Sequence, residues 1–108
     1  MSDVVNVSVE DIQDPGRVLD VREDYEWEAG HIDGALHIPL GQLPERLEEL
    51  DPDVDYNIIC RTGGRSYQAT QWLNGNGYGA VNVRGGMDAW LVAEKPIVSD
   101  NGQQPTVK

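Results

Sequence analysis

Cys60, Arg61, Thr62, Gly63, Gly64 and Arg65 follow one another directly, and Cys60 is the chain's only cysteine. A thiol acts as a nucleophile only once ionised, and positive potential around it favours that ionisation. Glycines let the backbone curl so that successive N–H groups converge, forming an anion nest. Arg61 and Arg65 add cationic charge on the same side. Together these residues read as a loop that holds a sulfur as its anion. A blander reading stands beside it. A lone cysteine after the apolar run "YNII" commonly packs as a small hydrophobe, two glycines make a turn, and arginines solubilise a surface.

Spacing narrows the chemistry. Four residues separate Cys60 from Arg65, whereas cysteine phosphatases use C-x5-R, one residue longer, to cradle a phosphate. Here the position that arginine would need is Ser66. The shorter cradle suits an extra sulfur on Cys60 better than a phosphoryl group, which ranks a cysteine phosphatase or arsenate reductase lower. A single cysteine excludes a C-x-x-C redox motif. Cys60, His31 and His37 show no paired ligand spacing, so no metal is expected.

The loop must be positioned by the elements around it. Short apolar runs alternate with helix-patterned segments, the pattern of an α/β domain with a mostly parallel sheet. Strands are expected at residues 4–7, 17–21, 35–38, 56–60 and 80–83. Ser8 and Asp11 suggest a capped short helix ended by Pro15 and Gly16. A second helix over 23–30 is closed by Gly30. Leu40, Leu43, Leu47 and Leu50 recur at helical spacing and give the clearest helix in the chain, stopped at Asp51-Pro52. Helices over 66–74 and 86–92 complete the set. Cys60 ends the fourth strand, where ligands bind in open parallel sheets.

At 108 residues the chain is one domain, expected over 1–98 with a loose polar tail at 99–108. It carries 19 acidic and 8 basic residues, a net charge of −11. That argues against nucleic acid and against anionic membranes as partners. "MSDVVNVSVED" lacks the basic flank and apolar core of a signal peptide. No stretch approaches membrane-spanning length, and a cytoplasmic location is expected.

Three separated motifs resemble single-domain rhodaneses, the thiosulfate sulfurtransferases. "CRTGGRS" is similar to their active loop. "LDVREDYEWEAGHIDGALHIPL", residues 19–40, resembles their D-V-R … E-x-x-x-G-H-I-x-G-A-x-x-I-P pattern, and "VRGGMDAW", residues 83–90, their closing G-G-x-x-x-W segment. The resemblance implies a rhodanese-like α/β fold, a five-stranded parallel sheet in the order 1-5-4-2-3 flanked by helices. It implies that Cys60 carries a persulfide and that Arg61, Thr62, Gly63, Gly64 and Arg65 bind substrate, Arg65 facing it. Asp20 and Arg22 would support the site from behind. Sulfur would pass from thiosulfate, or another small anionic donor, to cyanide or a thiol acceptor, with no cofactor. A sulfur-relay module working with a protein partner is the alternative, and an inactive structural domain is a third reading. His31, His37, Trp27 and Trp90 fall in structural parts of the pattern.

Overall fold

The computed structural model describes residues 4–108; residues 1–3, at the start of the expected domain and N-terminal segment, lie outside them. Five short strands, β1 (Asn6–Val7), β2 (Val18–Asp20), β3 (Leu36–His37), β4 (Tyr56–Ile59) and β5 (Ala80–Val83), form one parallel sheet. Its order is β1-β5-β4-β2-β3, as the resemblance implied. The helices are α1 (Asp24–Ala29), α2 (Leu43–Arg46), α3 (Gly64–Gly75) and α4 (Gly86–Val92).

The period of two along each strand divides the interior into two layers. Tyr56, Ile58 and Cys60 point to the side covered by α2 and α3, where they meet Leu19, Val21, Leu43, Ala69 and Leu73. Ile59 points the other way, toward Val9, Val18, Val83, Met87 and Trp90. Both faces of β4 are therefore buried, which accounts for its unbroken apolar run. The alternation also fixes the direction of the cysteine: its side chain must go under α3.

Several elements depart from the sequence-based expectation. The leucine-spaced helix is broken into a 3-10 turn at Leu40–Gln42, a single α turn in α2 and a second 3-10 turn at Leu47–Glu49. Leu43 and Leu50 still reach the core. Pro44 supplies no N–H to a continuous ladder, and Glu48 and Glu49 place negative charge where a helix end disfavours it. The Ser8–Asp11 capping box forms, but the helix it starts is one 3-10 turn, Val9–Asp11. Gly30 closes α1 with extended backbone (φ 179°) rather than a left-handed cap. A side chain there would run into the backbone of Thr106, so what it provides is room.

That contact involves the tail expected to be loose. Residues 99–108 contain no helix or strand, yet the Thr106 amide donates to Ala29 O (2.9 Å) and the Asp100 amide to Glu28 O (3.0 Å). Val107 packs against the second core layer. Trp27 is the middle ring of a stack, with His31 at 3.6 Å and His37 at 4.7 Å between centroids. Trp90 is buried and donates its indole N–H to Pro96 O. All four aromatic and imidazole side chains thus serve packing.

Candidate active site

Cys60 leaves β4 at its carboxyl end with its sulfur beneath the start of α3. The residue is only 1% exposed. An inert buried thiol would have apolar neighbours alone, and its pKa would rise. Around this sulfur are aimed donors instead. The Gly63 amide lies 3.1 Å from Sγ and the Ser66 amide 3.4 Å, with the Ser66 hydroxyl at 3.3 Å. Burial pushes the thiol pKa up. The Ser66 hydroxyl and the amides of Ser66, Gly63 and Thr62 outweigh it, and the net shift is downward. Gly63 makes the turn possible with φ +120°, a value that side chains rarely adopt.

The same loop is fixed from its other side. Carbonyl oxygens of Cys60 and Arg61 accept from the Met87 amide (2.8 Å) and the Asp88 amide (3.0 Å), in the first turn of α4. Those amides have no partner within the helix, so the loop satisfies them. Gly86 permits the approach: it sits at φ +55°, and a Cβ there would land on the Cys60 and Arg61 carbonyls. The "VRGGMDAW" segment therefore fixes the start of the loop, including the peptide group that carries the Thr62 N–H.

Both arginines of the loop are engaged with carboxylates, which changes the role expected of them. Arg61 is exposed and lies 3.4 Å from Asp88. Arg65 grips Glu26 with two bonds, 2.6 Å from Nη1 to Oε1 and 2.9 Å from Nη2 to Oε2. Its side chain is 36% exposed, that of Glu26 only 4%. Burial would raise the Glu26 pKa; the Arg65 bonds, the Glu23 amide and the charges of Arg65 and Arg22 together lower it. Arg65 is in turn held cationic by Glu26. Hydrogen bonds within the loop, rather than free guanidinium charge, thus lead in keeping the thiol acidic. Thr62 and Gly64 are exposed at the mouth of the loop.

Asp20 and Arg22, expected to support the site from behind, form a buried pair at the end of β2. Arg22 is fully buried; Nε is 3.0 Å and Nη2 2.8 Å from Asp20 carboxylate oxygens, and Nη2 also donates to Gly30 O (2.7 Å). The pair ties the end of β2 to the end of α1, the helix that carries Glu26. Glu26 is the site residue that sequence reading left without a role. Its signal was available: a carboxylate on the inner face of a short helix is buried only with a cationic partner.

In sequence, Ser66 marks only the place where a phosphatase arginine is missing. It proves to touch the sulfur, and its hydroxyl also donates to Asn82 Oδ1 (2.6 Å). Two clefts, of about 450 and 310 Å3, open beside Leu40, Pro44 and Trp72 and beside Ile32, Trp90 and Lys95; no residue of 60–65 lines either. Among the described residues no cluster of side chains has the makings of a metal site, and no helix is long and apolar enough to cross a membrane.

The sequence and the fold have counterparts. Residues 6–93 match the family model of the rhodanese-like domain. The chain is 47% identical over 79 residues to the Bacillus subtilis protein named "Putative sulfurtransferase YtwF", covering 73% of this chain and 77% of that one. It is 43% identical over 74 residues to "Putative sulfur carrier protein YrkF" of the same organism, covering 68% of this chain but 40% of that protein. A crystal structure of a rhodanese-like domain protein from Staphylococcus aureus superposes with a TM-score of 0.75 at 30% identity, over 95% of this chain and 99% of that one.

Proposed function

The chain belongs to the rhodanese-like domain family, and from that premise we propose that it is a sulfurtransferase working through a persulfide on Cys60. The observation that carries the reading is the set of donors converging on one buried sulfur whose pKa they lower. Structural burial of a cysteine needs no such donors, whereas an anionic nucleophile does.

In the first half-reaction the Cys60 thiolate attacks the outer sulfur of thiosulfate. A new S–S bond forms, the old S–S bond breaks, and sulfite leaves with the bonding electrons. Cys60 then holds a second sulfur that bears the negative charge. In the second half-reaction cyanide, or a thiolate, bonds to that outer sulfur and Cys60 leaves as the thiolate. First-turn amides of α3 not used by Sγ are the natural donors for the outer sulfur. A mouth formed by Thr62, Gly63, Gly64 and Arg65 admits a small anion. Arg65, bridged to Glu26, keeps an edge toward solvent for the donor's oxyanion.

The test is direct. Mass spectrometry after exposure to thiosulfate should find the protein heavier by one sulfur atom, and thiosulfate plus cyanide should give thiocyanate. Cys60→Ala should do neither; turnover by that variant equal to the parent's would end the proposal. A second reading, sulfur relay between proteins, is favoured by the likeness to a named sulfur carrier. Sulfur uptake from a protein-bound persulfide much faster than from thiosulfate would select it, and the reverse order would reject it.

A further inference from the structure

Ser66 and Asn82 place polar side chains in the same buried layer as Cys60, at 0% and 4% exposure. Ser66 Oγ lies 3.3 Å from Cys60 Sγ and 2.6 Å from Asn82 Oδ1. Asn82 Nδ2 donates to Asn6 Oδ1 on the neighbouring strand at 2.9 Å, which orients the amide so that its oxygen faces Ser66. A serine hydroxyl has a single proton to donate. Two acceptors compete for this one.

We propose that Ser66 and Asn82 form a two-position hydrogen-bond switch that follows the charge on Cys60 Sγ. With the sulfur as a thiol, S–H donates to Ser66 Oγ, the hydroxyl donates to Asn82, and Asn82 donates to Asn6. Every proton then runs one way and no buried polar group is left over. Ionisation sends the thiol proton to solvent. The hydroxyl then turns to the thiolate, because a bond to an ion is the stronger one. Asn82 gives up its donor, and that loss limits how far the thiol is acidified. Once Sγ is the inner sulfur of a persulfide its charge has moved outward, and the hydroxyl returns to Asn82. Ser66 therefore bonds Sγ while it is a free thiolate and again as it leaves, and releases it in between. Only this last step rests on the sulfurtransferase reading.

Charged groups near the sulfur are Arg65 with Glu26 and Arg61 with Asp88, and the variants leave all four in place. The switch predicts opposite shifts from its two members. Ser66→Ala removes the donor, so the thiol should ionise at higher pH, followed by the ultraviolet absorbance of the thiolate. Asn82→Leu removes the competitor, so ionisation should move to lower pH. The double variant should behave as Ser66→Ala. Asn6→Ala, at an exposed position, frees the Asn82 amide to turn its N–H toward Ser66 and should also lower the ionisation pH; it decides the question if Asn82→Leu fails to fold.

Single-turnover rates give an independent signature. Discharge of the persulfide to cyanide should slow about three- to tenfold in Ser66→Ala, because a more basic sulfur leaves less readily. Attack on thiosulfate, measured above both ionisations, should not slow, since a more basic thiolate is the better nucleophile. Shifts of the same sign in Ser66→Ala and Asn82→Leu, or no shift in Ser66→Ala, overturn the switch. If the parent protein takes up no sulfur at all, the sulfurtransferase reading fails while the titrations still decide the switch.

Discussion

Glu26→Gln isolates what the buried carboxylate contributes, since it keeps the side chain's shape and removes its charge. The structure gives the terms. Two bonds from Arg65, at 2.6 and 2.9 Å, end on a carboxylate 4% exposed. Breaking a fully buried pair costs about 3–5 kcal/mol, and an exposed pair contributes about 0–1. Arg65 is 36% exposed and screened to that extent, so about 2 kcal/mol is expected. For a domain of this size about 4 °C accompanies each kcal/mol, giving a Tm lower by about 8 °C near neutral pH. The pH dependence has a definite sign. The folded carboxyl titrates below its ordinary 4.5, so its contribution is present above the unfolded value and lost as pH falls through the folded one. Thermal denaturation of parent and variant across pH should therefore show a gap at neutrality that closes under acid conditions. Equal stability at neutral pH, or a gap undiminished at about pH 2, would refute the reasoning. Arg65→Ala should be the more damaging change to folding, because it strands the Glu26 anion in the interior. An effect on donor affinity alone is thus not expected of it.

The thiolate is the reactive form, so alkylation of Cys60 by iodoacetamide should stay at its plateau below the ordinary thiol value of 9.0 and fall only as pH drops through the depressed one; a midpoint at or above 9.0 would show that the donors do not acidify the sulfur. Gly86→Ala should cost about 2 kcal/mol or more, because a methyl group meets two loop carbonyls at a left-handed backbone position, and chemical denaturation should register it together with a less acidic thiol. Removing residues 99–108 removes the hydrogen bonds that the Thr106 and Asp100 amides donate and uncovers the packing place of Val107; a Tm lower by several degrees is expected, about 1 kcal/mol, and an unchanged melting curve would return the tail to solvent.

What the sequence disclosed and what it concealed divide along a physical line. Short apolar runs located all five strands, because strands inside a parallel sheet are apolar along their length whatever their neighbours do. Cys60 was legible for the same reason: it stands at the end of such a run with glycines after it. The leucine repeat misled because spacing reports which side chains face inward, not whether one continuous hydrogen-bonded ladder carries them. Leu43 and Leu50 are buried as the repeat requires, on a path of three short turns. Gly30 was read as a cap, yet its smallness serves Thr106, far along the chain, and no local pattern encodes that.

The same limit explains the arginines. Sequence places Arg61 and Arg65 beside the cysteine and suggests two free charges, while the carboxylates that engage them come from α4 and α1. Pairing by Glu26 does not idle Arg65; it gives a long, flexible side chain one position at the rim of the loop. Local acidification of the sulfur is then left to groups carried by the backbone of the loop: peptide N–H bonds held by Gly63, and a hydroxyl whose oxygen is anchored on the first turn of α3. The loop's opposite edge explains why those peptides stay oriented. Each amide turned toward Sγ belongs to a stretch whose carbonyls at Cys60 and Arg61 are tied to Met87 and Asp88. The start of the nest is thereby oriented by α4. Disturbing Gly86 should therefore alter the reactivity of Cys60 as strongly as its stability, and a variant that loses one without the other would separate the two roles assigned to that segment.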